Sequence, residues 1–286
     1  MSAPILAVDG PSLLYRAFFA LPDSIRNPAG QPVNALLGTA NLILQEVEAR
    51  QPRAVVLCFG AEAAAYRVAL HSGYHADRPD VPDDLQPQFD DAPAFFGAFG
   101  WLVETHDLLE ADDLLGSYAQ LESAAGGTAL LLTGDRDMFQ CASEAVTVLY
   151  LRTGTRGATE VDPDEVRERY GIPPELVPDF IALRGDPSDG IPGAKGVGEK
   201  TAADLLRAHG SLEGVLEHAI REPRPALRKN LLGAADELLG FKDMATLRDA
   251  GVARPPDLPT DWASAAAAAE ERGMNRLAER LRNIGA

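Results

Sequence analysis

Ile5-Leu6-Ala7-Val8-Asp9-Gly10-Pro11-Ser12 opens the chain with a short apolar run that stops abruptly at an aspartate. The same design recurs outward from it: Ala54-Val55-Val56-Leu57-Cys58-Phe59 stops at Gly60, Ala129-Leu130-Leu131-Leu132 stops at Thr133-Gly134-Asp135, and Val146-Thr147-Val148-Leu149 follows. Longer helical patterns, such as 34–49 and 112–125, lie between these runs. That rhythm predicts an α/β fold with a central, mostly parallel sheet and flanking helices. Polar residues then fall at the carboxyl ends of strands, the edge where open α/β sheets bind their ligands.

Residues 1–160 form this expected core. Between Gly73 and Gly100 the pattern weakens: Pro79, Pro82, Pro87, Pro93 and six aspartates predict an irregular or broken-helix excursion over 73–98. Beyond about residue 160 helical patterns take over, with helix starts at Asp162-Pro163 and Pro173-Pro174 and a Gly/Pro-rich stretch from Gly185 to Gly198. A helical subdomain is expected over 161–250 and a C-terminal segment over 251–286, with an alanine-rich helix from Trp262.

The 286 residues carry a net charge of −17, which taken alone argues against a nucleic-acid partner. The charge is unevenly spread. Residues 1–150 hold 7 basic and 20 acidic side chains, residues 151–286 hold 19 and 23, and all four lysines (Lys195, Lys200, Lys229, Lys242) lie in the second part. The first part must therefore take up cations before it can approach phosphates, whereas the second can meet a phosphate backbone directly. No apolar run is long enough for a membrane span, the start lacks a basic region, and Cys58 and Cys141 both sit in apolar settings. A cytoplasmic protein with free thiols is expected, with no membrane partner.

Four acidic groups stand out: Asp9; Glu110, Asp112 and Asp113 at a helix start; Asp135 and Asp137; and Asp186 and Asp189. Each has an ordinary reading as a helix cap, a turn or a loop. Taken together, three of the groups fall at one edge of one sheet. Two carboxylates about 4 Å apart repel by about 4 kcal/mol at an effective dielectric near 20, so a converging set needs compensation. All-oxygen ligands suit Mg²⁺ or Mn²⁺, and two such ions can activate a water and stabilise the leaving oxygen of a phosphodiester.

From Ile191 the chain reads Ile-Pro-Gly193-Ala-Lys195-Gly196-Val197-Gly198-Glu-Lys200-Thr201 into an amphipathic pattern. A Gly-x-Gly turn before a helix brings backbone N–H groups close to a phosphate, and Lys195 and Lys200 add positive charge. Such a hairpin reads no base edges. It predicts contact with a nucleic-acid backbone without sequence specificity.

Over nearly its whole length the chain resembles the 5′ nuclease domain of bacterial DNA polymerase I and its flap endonuclease relatives. The resemblance runs through Val8-Asp9-Gly-Pro-Ser-Leu-Leu-Tyr15-Arg16, Glu110-Ala-Asp-Asp113, Thr133-Gly-Asp-Arg-Asp137, Ala182-Leu-Arg-Gly-Asp186-Pro-Ser-Asp189-Gly-Ile-Pro-Gly193 and Gly196-Val-Gly-Glu-Lys-Thr201. It implies a PIN-like nuclease core with a helix-hairpin-helix subdomain. It also implies a first metal on Asp9, Glu110 and Asp112 with Asp113 beside it, and a second on Asp135, Asp137, Asp186 and Asp189. The hairpin, including Val197 and Thr201, would grip duplex DNA with a K⁺ ion, and 73–98 would arch over the site. The implied substrate is DNA with a 5′ flap, nick or 5′ end, RNA-primed in some settings, cut by a freestanding monomeric enzyme of repair or primer removal.

Two departures from the family pattern bear on that expectation. Relatives carry an Asp after the second strand where this chain has Phe59-Gly60-Ala61-Glu62, so one first-metal ligand is missing, and Glu62 is the nearest substitute. Relatives also carry Lys at the position of His75. Phosphate positioning is therefore expected from Arg67 and Arg78, with Arg16, His75 and a stacking Tyr74 as further DNA contacts. The alternative is a structure-specific DNA-binding protein of the same fold with weakened catalysis.

Overall fold

Strand residues that are apolar at every position, rather than at every second one, imply a sheet covered on both faces. In the computed structural model, which describes residues 3–152 and 157–286, Ile5 and Ala7 point into one hydrophobic cluster while Leu6 and Val8 point into another. Strands β1 (Ile5–Asp9), β2 (Ala54–Gly60), β3 (Leu102–His106), β4 (Ala129–Thr133), β5 (Val146–Leu151) and β6 (Ala158–Val161) form one sheet in the order β3-β2-β1-β4-β5-β6. β1 to β5 are parallel and β6 runs antiparallel to β5.

Helices α1 (Gly10–Ala20), α2 (Asn34–Arg50), α3 (Ala65–Leu70), α4 (Gln86–Gly97) and α5 (Ala111–Ala124) connect the strands. The helical part follows as α6 (Pro163–Tyr170), α7 (Val177–Arg184), α8 (Glu199–His209), α9 (Leu212–His218), α10 (Pro225–Gly233) and α11 (Ala235–Ala245), and the chain ends in α12 (Trp262–Glu271) and α13 (Asn275–Ile284). Buried residues of α5, α7, α8, α9 and α11 share one cluster with Ile5 and Ala7. Those of α1, α2, α4, α12 and α13 share the other with Leu6 and Val8. Among the described residues no helix is long and apolar enough to cross a membrane.

The strand order positions the site. The chain builds β1, β2 and β3 in one direction, then crosses back through α5 to place β4 on the far side of β1. The connections leaving β1 and β4 diverge, opening a crevice at their carboxyl ends, which is where Asp9 and Thr133-Gly134-Asp135 lie.

Two features depart from the sequence reading. β3 and β6 were not among the expected strands: both are sheet edges, and Leu-Val-Glu-Thr-His and Ala-Thr-Glu-Val lack the continuous apolar run of a central strand. The second half of the expected irregular excursion is α4. Pro87 sits in its first turn, where its missing N–H costs nothing, and burial of Ala92, Phe95 and Phe96 carries the helix through Pro93. The C-terminal segment, with its expected helix from Trp262 present as α12, packs into the core. Arg272 pairs with Asp91 of α4 at 2.5 Å, and Ala265, Ala269, Leu277 and Leu281 are buried against the sheet side of the second cluster.

The link from α11 back to α12 is extended and is fastened near the amino ends of the strands. Arg53 is the main fastening: its guanidinium meets Glu122, the Pro255 carbonyl at 2.8 Å and Asp257 at 3.2 Å, while its own carbonyl accepts from Leu258 N–H at 2.7 Å. Trp101 Nε1 donates to Thr260 Oγ1 at 2.9 Å beside it. Removing one partner of a buried pair strands the other charge, so Arg53→Ala is expected to destabilise the protein by about 3–5 kcal/mol in urea unfolding. A loss under about 1 kcal/mol would show that Arg254 alone satisfies Glu122.

Candidate active site

Asp9 ends β1 and caps α1. Its Oδ1 accepts from Ser12 N–H at 3.0 Å, and its Oδ2 accepts from the Thr133 hydroxyl of β4 at 2.7 Å. The hydroxyl thus ties the two lips of the crevice together. Burial raises the Asp9 carboxyl above its usual range, against the lowering effect of Thr133, Ser12 and Arg16.

The start of α5 brings a second set. Glu110 and Asp113 form a reciprocal capping box. Glu110 Oε1 accepts from Ala64 N–H at 2.7 Å and faces Arg67 Nη1 at 3.1 Å, while Oε2 accepts from the Tyr74 hydroxyl at 2.9 Å. Asp112 points the other way, into the crevice. Its carboxyl is held well above the usual range by burial and then by Asp135, Asp9, Glu110 and Asp137, all of them acids.

Asp135 follows β4, with Thr133 Oγ1 accepting from its N–H at 3.0 Å and its own Oδ1 accepting from Asp137 N–H at 2.8 Å. Burial, then Asp189, push the Asp135 carboxyl to about 7, and Asp137 is raised well above its range by burial and then Asp135. Asp186 and Asp189 arrive from the loop after α7. Asp186 is met by Arg184 Nη2 at 2.8 Å and by Ser188 N–H at 2.9 Å. Asp189 differs from its neighbours: burial would raise its carboxyl, but His75 and Arg78 outweigh that and hold it below the usual range.

Asp135 stands between two hollows. A cavity of about 690 Å³ is lined by Asp9, Glu110, Asp112, Asp135 and Asp189, with Tyr15, Phe19, Phe89, His75 and Arg78 toward its mouth. A second of about 580 Å³ is lined by Asp135, Asp137, Asp186, Arg136, Arg184 and Glu199. Sequence reasoning did not single out Thr133, Arg184 or the Tyr15-Phe19-Phe89 wall. Thr133 and Arg184 carried one signal, standing next to Gly-Asp in both Thr133-Gly134-Asp135 and Arg184-Gly185-Asp186.

Several expected roles need correction. Asp113 is fully buried and does not face the crevice: Arg67 holds it bidentately at 2.8 and 2.9 Å, and it accepts from Arg248 N–H at 2.9 Å. Arg67 is accordingly a buried structural clamp, 3% exposed, rather than a group that meets phosphate. Tyr74 is buried with its hydroxyl on Glu110 and its ring stacked on His75 at 3.9 Å, so it presents no face to a base. The His75 ring is enclosed too, between the Glu62 carbonyl at 2.9 Å and Asp189 at 3.2 Å. Its backbone takes a left-handed φ of 54° to reach them. Arg78 is exposed at the cavity mouth, 3.1 Å from Asp189, and Arg16 lies against Gly134 beside Asp9.

In the hairpin, Gly193 and Gly196 have φ of 65° and 81°, which glycine alone adopts freely. Lys195, Gly196, Gly198 and Lys200 are exposed and Thr201 is half-buried, but the Val197 side chain is packed in the core, leaving only its backbone for a ligand. The hairpin lies in the helical part, outside the larger hollow, and reaches the second through Glu199.

Gly60, where the family resemblance leads one to expect Asp, has no room for a side chain. A Cβ there would stand 2.4 Å from Glu110 C and 2.5 Å from both Ala111 N and Leu109 O, and Ala61 N–H donates to that Leu109 carbonyl at 2.9 Å. The start of α5 has closed onto the end of β2. Glu62 is exposed and lines the larger cavity. Gly60→Asp is therefore expected to cost about 1–3 kcal/mol in urea unfolding and to leave Mn²⁺ affinity no better than that of the unmodified chain. Tighter Mn²⁺ binding without loss of stability would contradict this closure.

Among the described residues no three His, Cys, Asp or Glu side chains close around one point as a finished metal cage. The donor chemistry nonetheless fits hard divalent ions. Asp9, Asp112, Asp135 and Asp137 are desolvated all-oxygen donors, and the latter three are raised further by acid neighbours, the condition that a bound cation relieves. The sign of the pH effect follows. Folded, ion-free chain keeps protons that the unfolded chain has lost, so stability should fall as pH rises from 3.8 towards about 7, the Asp135 window. Thermal melting with a chelator should give a lower Tm at about pH 8 than at about pH 5, and Mn²⁺ should raise Tm more at the higher pH. Equal Mn²⁺ effects at both would count against a repelling carboxylate set.

Comparison with known proteins places this geometry. Residues 4–171 match the family model of the 5′-3′ exonuclease N-terminal resolvase-like domain, and residues 172–263 match that of the 5′-3′ exonuclease C-terminal SAM fold. A 5′-3′ exonuclease of Streptomyces coelicolor is 36% identical over 300 residues, covering 96% of this chain and 98% of that protein. DNA polymerase I of Mycobacterium tuberculosis is 36% identical over 258 residues, covering 88% of this chain, and the match spans 28% of the polymerase. The flap endonuclease of bacteriophage T5, solved with DNA and metal ions, shares the fold with a TM-score of 0.71 at 18% identity, over 98% of each chain. With both family models matched in sequence order across the sheet, the crevice and the hairpin, this chain belongs to the 5′-3′ exonuclease family.

Proposed function

We propose that this chain is a structure-specific 5′ nuclease that hydrolyses phosphodiesters of DNA near a 5′ end, at a flap or nick, with Mg²⁺ or Mn²⁺ as its ions. The observation that carries the reading is the meeting of Asp9, Asp112, Asp135 and Asp137, from three separate parts of the chain, in the crevice between β1 and β4, where acid neighbours raise the charge cost of Asp112, Asp135 and Asp137. Family membership and the T5 relative solved with DNA and metal ions support it.

Asp9 and Asp112 would hold one ion with the remaining lone pairs of Glu110, and Asp135, Asp137, Asp186 and Asp189 the other. When bound, such ions supply Lewis acidity for water ionisation and for the departing oxygen. The chain's own part is positional. Thr133 fixes Asp9 against β4, Tyr74 and Ala64 fix Glu110, and Arg78 at the mouth offers a guanidinium to a phosphate entering the cavity. Tyr15, Phe19 and Phe89 give the cavity an apolar wall on which unpaired bases can stack, while Lys195, Lys200 and the N-terminus of α8 meet a duplex backbone, with K⁺ as the ion suited to the hairpin carbonyls. Exposed Asp77, Asp80, Asp83 and Asp84 line the segment before α4 and would repel a long threaded strand, which favours 5′ ends and short flaps.

The test uses a 5′-flap duplex with Mn²⁺. Asp135→Asn should lower cleavage by at least about 100-fold while duplex binding stays near that of the unmodified chain. Binding with no cutting by the unmodified protein would instead favour a DNA-binding protein with weakened catalysis, a reading to which the closed position at Gly60 lends weight.

A further inference from the structure

Residues 244–250, the last two residues of α11 and the stretch after it, reach both carboxylate groups from behind. On one side the Met244 carbonyl accepts from Arg67 Nε at 2.9 Å, and Arg67 spreads its two other nitrogens over Asp113 and Glu110. Arg248 N–H completes this side by donating to Asp113 Oδ1 at 2.9 Å. On the other side Gln140 Nε2 donates to the Ala245 carbonyl at 3.0 Å and to the Asp137 carbonyl at 2.9 Å, while its Oε1 accepts from Leu247 N–H at 3.3 Å. Leu247 also sits hard on α5, where a Cβ at Gly116 would lie 2.7 Å from its Cδ1.

One short segment therefore touches the support of Glu110 and the support of Asp137 at once. We propose that residues 244–250 are a strap that sets the separation between the acid group at the start of α5 and the acid group after β4, with Arg67 and Gln140 as its positioning residues. This rests on the metal-dependent reading above and adds to it a device for spacing. Like charges drift apart unless their backbones are held, and in-line displacement between two ions needs them about 4 Å apart. A misplacement of about 1 Å costs about 100-fold in rate. The strap is continuous with α11, which packs on α7, the helix leading to Asp186. A shift of the helical part on a duplex would thus be felt at both acid groups.

The experiment compares Gln140→Leu and Arg67→Lys with Leu238→Ala, a truncation of a fully buried α11 side chain outside the strap. Four quantities are read: Mn²⁺ affinity of the DNA-free protein by calorimetry, 5′-flap duplex affinity in chelator, kcat and KM on that duplex, and stability in urea. Gln140→Leu, which leaves no buried charge behind, and Arg67→Lys, which keeps the charge but loses the fork, should each weaken Mn²⁺ binding about 10–100-fold and lower kcat similarly, with KM and duplex affinity within about twofold. Leu238→Ala should lose stability yet keep Mn²⁺ affinity. The proposal is overturned if both strap variants bind Mn²⁺ like the unmodified chain, or if Leu238→Ala loses Mn²⁺ affinity in the same proportion to its stability. Should the unmodified protein bind Mn²⁺ but cut nothing, the hydrolytic reading fails while Mn²⁺ affinity still decides the strap.

Discussion

The repulsion among buried carboxylates at the crevice between β1 and β4 is the constraint on which the rest of this structure depends. Asp9 sits where burial resists ionisation, and at Asp112, Asp135 and Asp137 the charges of neighbouring acids add to that resistance. A fold tolerates such a site only if its surroundings offset part of the charge. The basic partners lie around the crevice: Arg67 under Glu110 and Asp113, Arg184 beside Asp186, His75 with Arg78 against Asp189, and Arg16 near Asp9.

This arrangement divides the eight candidate acids by what they are free to do. Asp113 has its charge matched within the protein by a bidentate arginine, so a metal would gain little there. Asp189 is intermediate, already drawn below its usual range by neighbouring cations. Asp112 and Asp135 lack any such local match among their leading influences, and they face the larger cavity. Electrostatic need and access thus coincide on the same side chains, which is a stronger pointer to a working site than sequence position among eight acids.

Much of this was legible in the chain because it rests on local patterns. Central strands buried on both faces read as apolar runs, and a carboxylate placed directly after such a run must emerge at the sheet edge, as Asp9 and Asp135 do. What could not be read depends on distant partners. Nothing near Arg67 indicates that its guanidinium will find Asp113, 46 residues away, and the Met244 carbonyl, 177 residues away. The edge strands β3 and β6 escaped for a different reason: with one side open, they need little apolar character. α4 escaped because burial of its phenylalanines outweighs proline content that, on local propensity, argues against a helix.

Residues 60 and 75, the two positions where the sequence departs from the expected family pattern, belong to one contact network. With no side chain at Gly60, the Leu109-Glu110-Ala111 backbone closes onto the end of β2 and Ala61 hydrogen-bonds to it. The chain then turns through Glu62, whose carbonyl takes His75 Nδ1, and the same ring reaches Asp189 through Nε2. The flat imidazole spans these two oxygens, one at each ring nitrogen, while stacking on Tyr74, which in turn holds Glu110. Glu110 on one side of the cavity and Asp189 on the other are thus held through the same stacked pair of rings. The acids around Gly60 stand in a frame built from backbone contact on one side and aromatic side chains on the other.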